Sequence, residues 1–202
     1  ILHDYLYKKT DHILCVSEFI RQNVLKTVRI LPEQTSVMYN GLHIGRFNPD
    51  LYDKCKLREK YKIDKDAFVI GFLGRFTFMK GHQEYFEACS IVQKMYPSLK
   101  FNFLVAGGDS FGESKFGDKM RILGKEMLGE GNVIFTGDIL NSAEVLAVMD
   151  ILVFPSHEES FGNVLCEAGA MQVPVVASNS GGVPDIVENG VTGILVPPLD
   201  SK

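Results

Sequence analysis

The sequence predicts a doubly wound α/β domain, a parallel sheet of about six strands with helices on both faces. Two observations carry this. Six short apolar runs recur: FVIGFLG (68–74), FNFLVAGG (101–108), NVIFTG (132–137), DILVFPS (150–156), PVVASN (174–179) and GILVPP (193–198). They are apolar at successive positions rather than alternate ones, as strands buried on both faces are. Segments 81–95, 115–128 and 141–149 between them have helical character. Regular β–α alternation of this kind builds a parallel sheet with helices packed against it.

The first third fits this pattern less cleanly. HILCVS (12–17) and TSVMYNG (35–41) predict two strands around a helix, EFIRQNVLKTV (18–28). That piece is too small to be a domain. It is either the tail of a preceding domain or an added βαβ unit on the same sheet. NGLHIGRFNPDL (40–51) carries the Gly, Asn and Pro of a loop, and LYDKCKLREKYKI (51–63) predicts a short charged helix. The expected organisation is residues 1–43, a linker with a short helix over 44–66, and the main domain over 67–202.

Composition narrows the function. The chain has 202 residues, 46% of them apolar, a soluble-globular balance. No apolar run approaches the ~18 residues of a membrane span. The chain opens on Ile1 rather than methionine, which points to missing upstream sequence. Cys15, Cys55, Cys89 and Cys166 are scattered without a C-x-x-C pair. That disfavours a zinc site or disulfide framework and predicts a reducing, cytoplasmic location. Net charge is −4; residues 1–66 carry 12 Lys/Arg against 9 Asp/Glu, and the remainder 9 against 16. An acidic main domain is a poor nucleic-acid binder.

In open parallel sheets ligands bind beyond the carboxyl ends of the strands, so the loops there are the candidate sites. GRFTFMKG (74–81) places Arg75 after a strand and Lys80 before a helix. Guanidinium and ammonium groups both suit phosphate, and Gly74 lets the backbone approach a ligand. Equally, Arg75 could cap the sheet edge and Lys80 be solvated. In ESFGNVLCEA (159–168) a helix is predicted from about Gly162. Its unpaired first amides, from Phe161, Gly162, Asn163 and Val164, suit an anion. Glu159 precedes that start, and Glu167 lies ~7.5 Å along the axis. Two carboxylates flanking an anion site would suit a sugar, a phosphate and a second sugar. The plainer alternative makes Glu159 a dipole-complementing charge and Glu167 a surface residue. In SNSGGVPDIVENG (178–190) the Gly181–Gly182 pair allows positive φ and Pro184 opens a short helix; a tight crossover turn would look the same.

Other chemistries find little support. No G-x-G-x-x-G occurs, and the glycine-rich segment 107–119 lacks the Walker lysine. His157 could face the site but is as a lone histidine more naturally structural; His43 and His82 form no constellation. No metal-ligand spacing is present, so no metal is expected.

Taken together these motifs resemble the C-terminal, donor-binding half of retaining group 1 glycosyltransferases, the family with two facing Rossmann-like domains (GT-B) that includes glycogen and sucrose synthases. The resemblance covers most of residues 35–198. It rests on Glu159-x7-Glu167 followed by VPVVASNSGGVPDIVENGVTGILV, on the Gly-Arg…Lys-Gly loop from Arg75 to Lys80, and on the linker YNGLHIGRFNP. Ser160 stands where glycine is common in the family, and His43 where aspartate is.

The resemblance implies roles. Arg75 and Lys80 hold the diphosphate and stabilise the leaving group. Glu167 binds the ribose hydroxyls and Glu159 the donor sugar. Amides of Phe161, Gly162, Asn163 and Val164 reach sugar and phosphate, and the loop from Gly137 through Ile139 to Leu140 borders the base. It implies a nucleotide-diphosphate sugar as donor, no cofactor, no metal, and a sugar or glycan acceptor held by a missing N-terminal domain of which residues 1–43 are the tail. The main domain is then incomplete at its C-terminus, and the chain alone should transfer nothing. The intact enzyme is expected in the cytoplasm, at most peripheral to a membrane, in a pathway such as polysaccharide biosynthesis. Uracil, guanine and adenine donors all suit such a fold. A GT-B epimerase or phosphorylase, or a non-catalytic nucleotide-sugar-binding module, would share it.

Overall fold

A computed structural model describes residues 9–112 and 114–201. The first eight residues of the predicted 1–43 segment, Glu113 of the glycine-rich stretch, and Lys202 lie outside the described residues.

The elements follow in order β1 (Ile13–Cys15), α1 (Glu18–Thr27), β2 (Thr35–Val37), α2 (Lys54–Lys60), β3 (Phe68–Leu73), α3 (His82–Met95), β4 (Phe101–Ala106), α4 (Ser114–Leu128), β5 (Val133–Gly137), α5 (Ser142–Leu146), β6 (Ile151–Phe154), α6 (Asn163–Ala170), β7 (Val175–Ser178) and β8 (Ile194–Val196). All six predicted apolar runs form strands. They pair in parallel in the order β5-β4-β3-β6-β7-β8. The chain first builds outward from β3 through β4 to β5, then returns to lay β6 on the other side of β3. The sheet therefore has a topological switch point between β3 and β6, where the two adjoining loops leave in different directions and open a crevice.

Successive apolar residues fill both faces, as expected for central parallel strands. Val69, Leu73, Leu104, Leu152 and Phe154 pack with Leu146 of α5 and Leu165 of α6. Ile70, Phe72, Phe103 and Val105 pack on the other face with Tyr85 and Phe86 of α3 and Met120 and Leu128 of α4. Every residue of β4 is buried.

Two predicted helices are shorter than expected. The helix expected over 51–63 is shorter. The Asp53 carboxylate caps it by accepting from the amides of Cys55 and Lys56, both at 3.1 Å, and Lys62 adopts φ 57° and ends it. The helix expected over 141–149 keeps only Ser142–Leu146. Strands β1 and β2 form a separate two-stranded parallel sheet, so they are not an addition to the six-stranded one.

The 44–66 segment is docked. Asp150, just before β6, accepts from Lys54 at 2.9 Å, from Arg58 at 3.1 Å and from the Val69 amide at 2.8 Å. Arg58 also donates to the carbonyls of Lys65 and Ala67, both at 3.0 Å. The carboxylate thus joins α2, β3 and β6. Asp150→Ala should cost roughly 2 kcal/mol, because it strands a mostly buried guanidinium and one strand amide. Urea unfolding checks this, and a change below about 0.5 kcal/mol would mean the cluster is dispensable.

Candidate functional site

The two strands that flank the switch point deliver the charged groups singled out in the sequence. Beyond β3 the chain runs Gly74–Arg75, then through a 3-10 turn (Phe78–Lys80) into α3. Beyond β6 it runs from Pro155 to Glu159 and into α6. Lys80 and Glu159, 79 residues apart, meet as an ion pair through Nζ and Oε2. Their side chains are only 25% and 16% exposed, so water screens the pair incompletely. The Lys80 ammonium also lies 5.5 Å from the centre of the Phe154 ring. Arg75 is exposed at the same edge, leaving its guanidinium open to an anion.

The start of α6 is built for close approach. Gly162 takes φ +102° as its N-cap, a conformation that L-residues adopt rarely, and turns the chain into the helix. Asn163 and Val164 are the first two residues of the helix, whereas Phe161 and Gly162 precede it. Phe161 is buried and stacks on Tyr39 with centroids 5.7 Å apart. Asn163 accepts from the Asn40 side chain at 3.0 Å. The YNG linker thus packs directly on the α6 start.

Glu167 is half-buried on α6. Burial raises its carboxyl above the usual range, while the Ser142 side chain and the Arg46 charge pull the other way. Gly137 ends β5. Of the loop beyond it, Ile139 is partly buried against the first core and Leu140 is fully exposed.

The Gly181–Gly182 loop closes against this edge. The Gly182 amide donates to the Glu159 carbonyl at 2.7 Å, and Pro184 lies in the 3-10 turn Val183–Asp185. His157 turns from the site: it pairs with Glu84 of α3 at 2.9 Å and packs its edge on Phe78. Among the described residues no three His, Cys, Asp or Glu groups could hold a metal. An apolar cleft of about 340 Å³ opens elsewhere, between Ala88, Val153, Val176 and Val196. It contains none of the predicted site residues and lacks converging cations.

Residues 67–202 match the family described as glycosyl transferases group 1. This chain belongs to that family. Among curated relatives, this chain is 31% identical over 206 residues to CapM, a capsular polysaccharide biosynthesis glycosyltransferase of Staphylococcus aureus; the match takes in 98% of this chain and 50% of CapM. Against a D-inositol 3-phosphate glycosyltransferase of Corynebacterium kroppenstedtii it is 30% identical, covering 97% of this chain and 44% of the relative. The chain therefore spans about half the length of the curated relatives it matches. Among solved structures, Anabaena Alr3699/HepE in complex with UDP-glucose superposes with a TM-score of 0.87 at 25% identity, over 99% of this chain and 54% of that one. The fold of the group 1 glycosyltransferase chain is thus the α/β fold of these enzymes, as the sequence predicted.

Several groups at this candidate site were not legible in the sequence. Arg46 donates to Asn141 at 3.4 Å and acts on Glu167 from the linker, as Ser142 does from α5. From α1, the Ser17 hydroxyl donates to the Ser160 carbonyl at 2.5 Å, and the Glu18 amide to the Asp185 carboxylate at 2.6 Å. The β1–α1–β2 unit is thereby anchored to both loops that frame Glu159. The one available signal was helix-cap chemistry: Ser17 precedes an apolar-periodic run, as an N-cap does.

Proposed function

We propose that this chain is the donor half of a retaining glycosyltransferase, which binds a nucleotide-diphosphate sugar and moves the sugar to an acceptor held by the rest of the protein. The observation that carries this reading is the meeting of Lys80 and Glu159 from the two loops at the sheet's switch point, with Arg75 exposed on the same loop as Lys80. Departure of a nucleoside diphosphate leaves an oxocarbenium-like sugar and growing negative charge on the β-phosphate. Arg75, Lys80 and the amides of Asn163 and Val164 are preorganised donors for that charge, which is the largest catalytic term in many enzymes. They can do this without a metal. Glu167 accepts from the ribose hydroxyls, and Glu159 from the sugar. Support for a uracil nucleotide comes from the HepE complexes with UDP and with UDP-glucose. The role of CapM in capsular polysaccharide biosynthesis supports a glycan product. No helix among the described residues is long and apolar enough to cross a membrane. On this reading the 202 residues alone bind donor and transfer nothing.

Calorimetric titration with UDP, GDP and ADP tests the reading. One nucleotide, UDP by preference, should bind. Arg75→Ala and Glu167→Ala should each weaken it by about 30-fold or more, the scale of a lost charge-assisted hydrogen bond. Affinity should also fall on acidification, starting above the ordinary glutamate range, because the raised Glu167 carboxyl loses an acceptor when protonated. Absence of binding by all three nucleotides, or indifference to Arg75→Ala, would count against the proposal.

A further inference from the structure

On the donor-site reading, the Lys80–Glu159 pair joins two groups that serve different parts of the ligand. On that reading Lys80, held beside the start of α6 by its pair with Glu159, would meet phosphate, and Glu159 faces the sugar. Neither end can retreat far. The Glu159 carbonyl accepts from the Gly182 amide at 2.7 Å, and Gly181 lies so close that an added Cβ would sit 2.0 Å from the same oxygen. On the other side, Lys80 is the last residue of its 3-10 turn, next to the first turn of α3. The backbones are held, and the side chains remain free to exchange partners.

Resting on that donor-site reading, we propose that Glu159 competes with the diphosphate for Lys80, and so makes the site favour a nucleotide that carries a sugar over the bare nucleoside diphosphate. With a sugar in place, a hydroxyl donates to the Glu159 carboxylate and takes up part of its acceptor capacity, freeing Lys80 to turn to the phosphate. Once the sugar has gone, the carboxylate loses that partner and reclaims the ammonium. The diphosphate product is then held chiefly by Arg75 and the helix amides, and leaves more readily. Glu159 acts here as a specificity-determining residue through Lys80, in addition to its contact with the sugar.

The test has an unusual sign: removing a binding-site carboxylate should tighten product binding. Titrations of UDP, GDP and ADP are compared for wild type, Glu159→Gln, Glu159→Ala and Glu158→Gln. Glu158 is an exposed neighbour, and its variant removes the same charge without touching Lys80. The best-bound diphosphate should bind both Glu159 variants about fivefold tighter than wild type, the scale of a partly shielded ion pair, and should bind Glu158→Gln within about twofold. Circular dichroism confirms that each variant is folded. If wild type binds a diphosphate and the Glu159 variants bind it equally or more weakly, this inference falls and the donor site stands. An equal gain in Glu158→Gln also overturns it, because bulk charge would then explain the effect. If neither wild type nor the variants bind any of the three, the donor-site reading falls and takes this inference with it.

Discussion

Gly181→Ala is expected to destabilise the protein by roughly 3 kcal/mol, or about 6–12 °C in Tm for a chain of this size. Gly181 adopts φ +58°, where an L side chain strains against its own backbone by ~1–2 kcal/mol. Its position is worse than its dihedral. An added Cβ would lie 2.0 Å from the Glu159 carbonyl oxygen and 2.7 Å from the Glu159 nitrogen. Both are backbone atoms, so no rotamer change relieves the contact, and the two loops must part. Parting them also breaks the bond from the Gly182 amide to Glu159. The loop that carries Glu159 should shift with them, away from its place beside Lys80. Gly190→Ala is the matched control: its φ is +79°, yet nothing lies within 4 Å of the added carbon. That variant should lose only the dihedral part, about 1 kcal/mol. Thermal unfolding of both variants is the measurement, with nucleotide titration of Gly181→Ala beside it. Equal Tm shifts would show that loop approach contributes nothing.

Acidification from pH 7 to pH 5 should remove on the order of 2 kcal/mol of stability through His82 alone. His82 opens α3 and is 1% exposed. Its ring lies between Phe72 and Phe76, with centroids at 4.2 and 4.4 Å. Neither nitrogen meets a partner at hydrogen-bonding geometry, although the Thr77 backbone lies near enough to oppose the shift. Burial lowers its pKa from 6.5 to about 3, helped by the Lys80 and Arg121 charges. The sign is set by which state takes the proton. Below 6.5 the unfolded chain protonates this imidazole and the folded chain does not. Its contribution is complete above 6.5 and is lost progressively as pH falls toward 3. His82→Leu should flatten the pH dependence of stability across that window by the same amount, while the carboxylates continue to supply the rest of the acid slope. NMR titration gives the direct readout: the ring should stay neutral down to about pH 4. Titration near 6.5 would refute the buried, neutral imidazole. The ring also supports Phe76, which follows Arg75, so acid should loosen the loop from Arg75 to Lys80 before the sheet.

Both results bear on how the site is made. Its charges stand on short loops between deeply buried strands, and their positions depend on tight backbone contacts and an aromatic stack at the sheet edge. On the proposed donor-site reading, the groups that would meet phosphate stand on rigid supports, where preorganisation costs least at the moment of reaction.

The sequence alone determined the strands, the long helices and the loops that matter. Successive apolar residues mark strands buried on both faces, and the runs at 68–74 and 101–108 became β3 and β4, paired along their full length from Phe68↔Phe101 to Leu73↔Ala106. The Arg75–Lys80 loop and the Glu159–Glu167 spacing were equally legible, since each lies within one short segment. Helix limits at α2 and α5 were missed because caps and single dihedrals decide them. Only the tertiary structure decided that β6 returns beside β3 and that Lys80 therefore meets Glu159. It also decided that Arg46 and Ser142 act on Glu167, and that Ser17 and Glu18 fasten α1 to the loops around the site. Periodicity and capping are set by near neighbours along the chain, whereas these pairings depend on which crossover brings two distant loops to the same strand ends.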